Sequence, residues 1–349
     1  SDVYKRQVSY FLSLLAKENG MTFFAIIPMT IFCFTGKNFK ESIIASIPFL
    51  ATAVIYFVIR TSLVGIIGDR DNPDVMENPF VNASLGDKYA TIIHILGKYL
   101  MMLFYPNPLS CDYSFNQIPI IGFGNIKAIS PLVIYIVLGI YAVKNIRNKS
   151  IVAYCILFYL FSISIVSNIV FNIGAPMGER FLFLPSLAFC LVVAHFGVKY
   201  FKTPQLTKPN STLLVILFII VGGYSFKTIS RNKDWKDNVT LFSADAKTVP
   251  NSAKIRYYYG NTLLNMMLGD KNNPDRINKL KIAFNEVSAS VAINPKFHHA
   301  FYAKGMICQE LGMADSAIVA FSNVLRLQPT HINTQSALGT VYGLSLLHI

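Results

Sequence analysis

Pro295 and Pro329 lie 34 residues apart, and they close the matching steps Ile-Asn-Pro and Leu-Gln-Pro. A shift of 34 also carries Gly305 onto Gly339 and Ala303 onto Ala337. Within one period fall Phe301, Gly305, Ala317, Phe321 and Pro329. Small residues at such positions let two helices approach closely, aromatics fill the groove between them, and the proline stops the second helix. The spacing therefore predicts stacked helix–turn–helix repeats in the C-terminal third. Upstream, Pro250 and Pro295 are 45 apart, one period plus 11 residues. The polar stretch from Gly269 to Asn278 is expected to hold that insertion, which brings Gly260 and Ala283 into register.

The period and its signature residues are those of the tetratricopeptide repeat (TPR). Tandem repeats of this kind expose a concave surface suited to extended peptides, so this tail is expected to recruit a protein. A docking role toward the rest of the chain or a partner subunit is the other reading of the repeats.

Everything before about residue 227 reads as membrane. Apolar residues make up 53% of the chain and charged ones 14%, far from a soluble domain. Apolar runs cover 21–35, 43–67, 128–143, 151–171, 181–198 and 212–226, most approaching the roughly 20 residues that cross a bilayer core. The net charge of +13 is read as basic loops on the cytoplasmic side rather than as a nucleic-acid surface. Lys37 and Lys40, then Lys144, Arg147 and Lys149, then Lys199, Lys202 and Lys208 occupy the connections 36–42, 144–150 and 199–211. By the positive-inside rule these three loops are cytoplasmic. The connections 68–127 and 172–180 then face outward, as does everything after 226. The segment 89–105 carries His94 and Lys98 and has both flanks outside. It is expected to lie on the outer interface or re-enter from it, with a true span as the alternative. The expected architecture is all-α: a multispan helical membrane domain over 1–227, including the long outer loop 68–127, followed by extracytoplasmic repeats over 228–349. The five cysteines are scattered and outline neither a disulfide framework nor a zinc site.

This topology gathers ionisable residues on the outer face. Lys17 and Glu18 lie at the outer end of the first hairpin, and Arg60 near the outer end of an apolar run. Asp69, Arg70, Asp71, Asp74 and Glu77 open the long loop, Asp112 lies later in it, and Glu179 with Arg180 precede the next run. Charged groups at membrane depth are costly and mark function. Arginine suits phosphate gripped in several directions. Arg60, Arg180 and Lys17 are the candidate phosphate-binding residues for an anionic lipid headgroup. Glu179, Glu18, Asp69, Asp71 and Asp112 are candidates for positioning a substrate or holding a metal ion. No phosphate-binding glycine loop, serine elbow or zinc-binding helix motif is present.

Several stretches resemble one family. They are Leu15-Ala-Lys-Glu-Asn-Gly20, Asp71-Asn-Pro-Asp-Val-Met-Glu-Asn-Pro79, Tyr105-Pro-Asn-Pro-Leu-Ser-Cys-Asp-Tyr-Ser-Phe115, Met177-Gly-Glu-Arg-Phe-Leu-Phe-Leu-Pro-Ser186 and Trp235-Lys-Asp-Asn-Val-Thr-Leu-Phe242. Together they resemble the transmembrane and tetratricopeptide repeat O-mannosyltransferases, the TMTC family. The resemblance implies a GT-C glycosyltransferase. Such an enzyme moves a sugar from a polyprenyl phosphate lipid to a protein hydroxyl on the outer or lumenal face. The donor is dolichyl phosphate mannose in the eukaryotic relatives. The implied partners are thus a lipid-linked sugar and an acceptor protein, with no resident cofactor assigned and metal dependence open. The family's catalytic acidic motif belongs to a first outer loop, which is expected upstream of this sequence. A bacterial inner-membrane protein with periplasmic repeats is expected, or an endoplasmic reticulum protein if eukaryotic. The alternative is a non-catalytic membrane scaffold that only presents the repeats.

Overall fold

The computed structural model describes residues 2–65, 74–170, 172–201 and 211–346, and the described residues form helices and turns with no strand. They divide into two compact units. One comprises Ser1–Asn107 and Ile120–Val221, the other Pro108–Pro119 and Gly222–Ile349. The sequence partition at 227/228 left all of 68–127 with the membrane portion. The structure instead places the middle of that loop, 108–119, in the unit that holds the repeats.

The first unit contains α1 (Asp2–Ala16), α2 (Phe23–Phe34), α3 (Phe39–Val64), α4 (Leu85–Phe104), α5 (Ile126–Ile146), α6 (Ile151–Ser164) and α7 (Phe183–Tyr200), and it takes in the start of α8 (Ser211–Asp234). Polar caps fix where several of these helices begin. Asn38 and Glu41 form a reciprocal capping box at α3, while Ser84, Asn125 and Ser150 cap α4, α5 and α6. Among the described residues, four segments are long and apolar enough to cross a membrane: Phe39–Leu63, Ile126–Ile146, Glu179–Tyr200 and Ser211–Asp234. α8 buries none of its residues although its first two-thirds is apolar on every side, the mark of a helix solvated by lipid. The apolar run 151–171 does not make one span. α6 ends at Ser164, after which Ser167 Oγ donates to the Ser164 carbonyl and buried Asn168 bonds Ile173 N and the Ala175 carbonyl. Those polar residues offer the backbone a turn in place of the helix.

α4 is amphipathic and is held along one face by α5. Thr91 Oγ1 exchanges hydrogen bonds with Ile121, and Tyr135 Oη donates to the Leu96 carbonyl at 3.0 Å. Gly97 sits so close to Pro131 that a Cβ there would lie 2.4 Å from its ring, so the two helices approach only because the side chain is missing. Ile92, Ile95 and Tyr99 are buried, while Met101 and Phe104 stay exposed.

The second unit is built from α9 (Asn238–Thr248), α10 (Ala253–Gly269), α11 (Arg276–Ile293), α12 (His298–Glu310), α13 (Ala314–Leu327) and α14 (Ile332–Leu346), after the end of α8. α10/α11 and α12/α13 are the paired helices of two repeats. The insertion of 11 is not confined to the turn, because α10 has 17 residues against 13 in α12, and α11 has 18 against 14 in α13. Only the remaining three residues lengthen the connection 270–275 relative to 311–313. Phe301, Ala317 and Phe321 are buried, and a Cβ on Gly305 would meet the Phe321 ring at 2.4 Å. Gly260 is equally tight, against Val287 and the Ala283 carbonyl. Pro329 lies exposed just after α13 and accepts from Gln335 through its carbonyl. Gly339 departs from the expectation: it is exposed, with nothing within 4 Å of where a Cβ would be.

Candidate functional site

Arg60 is already engaged. Its Nε and Nη2 reach Glu18 Oε1 at 2.8 and 2.7 Å, and its Nη1 donates to the Gly65 carbonyl at 3.0 Å. All three contacts use the guanidinium fork, which ties the end of α3 to the turn after α1. The arginine assigned to phosphate and the glutamate assigned to positioning thus neutralise each other. Lys17, beside them, is exposed. Asp69 and Asp71 lie outside the described residues.

The segment before α7 is held from two sides. Asn168 Nδ2 donates to the carbonyls of Ala175 and Pro176, at 2.9 and 3.4 Å. Gly178 N donates to the hydroxyl of Tyr99, a residue of α4 with no exposed surface, at 2.9 Å. Gly174, with φ of +75°, supplies the left-handed turn that a side chain would strain. The result is a fixed step that presents Glu179, half-buried, and Arg180, exposed, with its guanidinium 4.9 Å from the Phe181 ring. Arg180 is therefore held in position by a backbone anchored at both ends, rather than by a long loop.

Asp112 belongs to the second unit and lies 3.7 Å from Lys254 Nζ. It is part of a clamp that fastens 108–119 to the start of the repeats. Asn116 N donates to the Asn251 carbonyl at 2.9 Å, and Ala253 N to the Phe115 carbonyl at 2.8 Å. Fully buried Asp245 accepts from Cys111 N at 2.8 Å, and its other oxygen lies 2.7 Å from Arg231 Nη2, a close charge contact rather than an aligned hydrogen bond. Burial first, then the Asp245 carboxylate, push the Cys111 thiol up to about 12. Asp112 thus has a structural partner in Lys254. No group of three or more metal-ligating side chains occurs among the described residues.

One feature was not singled out from the sequence. A groove of about 590 Å³ lies between α4, α5, α6 and α7. His94, Lys98 and Lys127 line it together, and the rest of its wall is mainly apolar, including Leu138, Tyr159 and Phe189. His94 Nδ1 lies 3.2 Å from the Lys127 carbonyl, and Lys98 and Lys127 are near enough to feel each other's charge. The signal was present in 89–105, where His94 and Lys98 interrupt an apolar run at helical spacing. Lys127, 29 residues beyond Lys98, joins them only through the α4–α5 contact.

No family model matches the chain. Among known proteins, it is 25% identical over 66% of its length to the mouse protein O-mannosyl-transferase TMTC1. It is 29% identical over 54% to human TMTC3 and 30% identical over 55% to F38B6.6 of Caenorhabditis elegans, both also named protein O-mannosyl-transferases. The matched part spans 21–26% of these relatives, about a quarter of their length. A solved TPR domain, that of P58(IPK), aligns over all of this chain at 12% identity with a TM-score of 0.28, too low to carry an argument. The repeat assignment therefore rests on the paired helices above. With its lipid-type helices and these relatives, the chain is that of an integral membrane protein similar to the TMTC-type protein O-mannosyl-transferases.

Proposed function

We propose that the protein is a membrane glycosyltransferase that moves a sugar, mannose as in its relatives' names, from a polyprenyl-type phosphate lipid to a hydroxyl of a protein. The observation that carries this reading is the similarity, over two-thirds of the chain, to a protein named as an O-mannosyl-transferase. The anchored Glu179–Arg180 step supports it, because transfer with inversion needs a leaving phosphate stabilised by fixed positive charge. In this reading Arg180, with Lys17, meets the donor phosphate, and Glu179 orients Arg180 or the acceptor hydroxyl. The reaction also requires a general base to accept the hydroxyl proton. Arg60 is left out of the site, since Glu18 occupies it.

The same reading puts the chemistry and the repeats on the outer or lumenal face, in a bacterial inner membrane or the endoplasmic reticulum. The lysine- and arginine-bearing connections support that orientation. That 108–119 and the repeats form one unit supports placing the α4–α5 connection and the repeats on one side of the bilayer. The repeats then recruit the acceptor.

The test is reconstitution of the complete protein in vesicles with radiolabelled polyprenyl-phosphate mannose and a serine- and threonine-rich acceptor. Label released from the acceptor by β-elimination is the expected result. Acceptor capture without any transfer would overturn the enzyme and leave a membrane scaffold.

A further inference from the structure

The groove between α4 and α7 places positive charge where an apolar protein would not tolerate it. Lys98 is half-buried on α4, and Lys127 stands in the first turn of α5. The positive charge of Lys127 acts on Lys98, and both lysines act on His94; among the described residues no acidic side chain lines the groove. Half-buried Lys98 loses hydration and is repelled by the exposed Lys127 beside it. The arrangement is relieved when an anion sits between them. Along α5 the lining runs from Lys127 to Leu138, about 16 Å at the helical rise of 1.5 Å per residue. The cationic groups occupy only the Lys127 end of that wall. The groove thus matches an anionic head joined to one long apolar chain. A single channel suits one chain better than the two acyl chains of a bulk phospholipid.

We propose that this groove seats the phosphate end of an isoprenoid phosphate lipid, with Lys98 and Lys127 gripping the phosphate and the α5–α7 wall holding the start of the chain. The proposal deepens the transferase reading and rests on it for the identity of the lipid. It adds lysines of α4 and α5 to the phosphate-binding residues of the sequence reading. His94 donates or accepts a hydrogen bond beside the lysines, according to its tautomer. The α4–α5 connection runs through 108–119, which the repeat unit holds. The two phosphate-gripping helices are therefore joined by the segment clamped beside Asp245.

The test uses the complete protein in phosphatidylcholine nanodiscs, titrated with a fluorescent polyprenyl monophosphate and, in competition, with phosphatidic acid. Lys98→Gln and Lys127→Gln are each expected to weaken polyprenyl phosphate binding about tenfold, as for loss of one charge-assisted contact. The double variant weakens it further. Lys88→Gln, on the same helix but outside the groove, leaves binding unchanged. Wild-type affinity in the double variant, at an unaltered thermal midpoint, would overturn the proposal. So would equal competition by phosphatidic acid, which would make the groove a general phospholipid site. Lysine-dependent binding in a protein that transfers no sugar supports the site and removes the transferase instead.

Discussion

Asp245→Ala removes the carboxylate that holds Arg231 and the Cys111 N–H at once. Asp245 has no exposed surface, and the Arg231 side chain keeps only 12% of its own. Deleting one partner of a buried pair costs about 3–5 kcal/mol, because the surviving charge is left without compensation. The orphaned Cys111 N–H adds about 1–3 kcal/mol if water does not reach it. Against a typical domain stability of about 5–15 kcal/mol, this is a large fraction. Asp234, 3.0 Å from Arg231 Nη1, retains part of the charge balance, so the lower end, about 3 kcal/mol, is the expected loss. The assay is built in. Trp235 is the chain's single tryptophan, and the Arg231 guanidinium lies 5.9 Å from its ring. Guanidinium unfolding of the solubilised protein, followed by Trp235 fluorescence, reports on the clamp directly. Asp245→Leu combined with Arg231→Met removes both charges and should recover most of the loss. A loss below about 0.5 kcal/mol for Asp245→Ala, within the range of ordinary surface substitutions, would refute the reasoning. A double variant as unstable as the single one would refute it equally.

Four further perturbations have outcomes set by the geometry. Gly305→Ala forces a methyl group into the Phe321 ring and should cost about 1–3 kcal/mol; Gly339→Ala, with open space around it, should be neutral or stabilise by up to about 1 kcal/mol. The same fluorescence-monitored unfolding checks both, and equal effects at the two glycines would contradict the packing described. Arg180→Ala should slow sugar transfer by roughly 30- to 1,000-fold, from the loss of about 2–4 kcal/mol of charge-assisted contact. The pair Arg60→Met with Glu18→Leu should leave transfer near wild type. If Arg180→Ala transfers normally in an intact membrane protein, Arg180 is only an interfacial anchor.

The repeats were legible because their signal is local and periodic. Gly305 and Phe321 sit at fixed offsets within one helical hairpin, so the spacing that defines the repeat also brings them into contact. Gly339 holds the corresponding offset yet is exposed with nothing near it among the described residues, so an offset alone does not supply a packing partner. Apolar runs and their basic loops likewise marked the lipid-type helices. Yet the run 151–171 concealed the turn made by Ser167 and Asn168, since mean apolarity does not register a few polar side chains that bond the backbone. In the candidate site the sequence could name charged residues but not pair them. Arg60 has carboxylates nine and eleven residues away at Asp69 and Asp71, yet it meets Glu18 across 42 residues. Asp245 captures Cys111 across 134, and Lys127 joins Lys98 only because Gly97 lets α4 close on Pro131. The sequence alone determined the helical class, the repeat period and the lipid-type segments, because each follows from interactions within a few turns of chain. The ion pairs, the clamp on 108–119 and the cationic groove were decided by tertiary structure alone. They depend on which helices pack together, and that choice reflects complementarity between surfaces distant in the chain, which no linear spacing records.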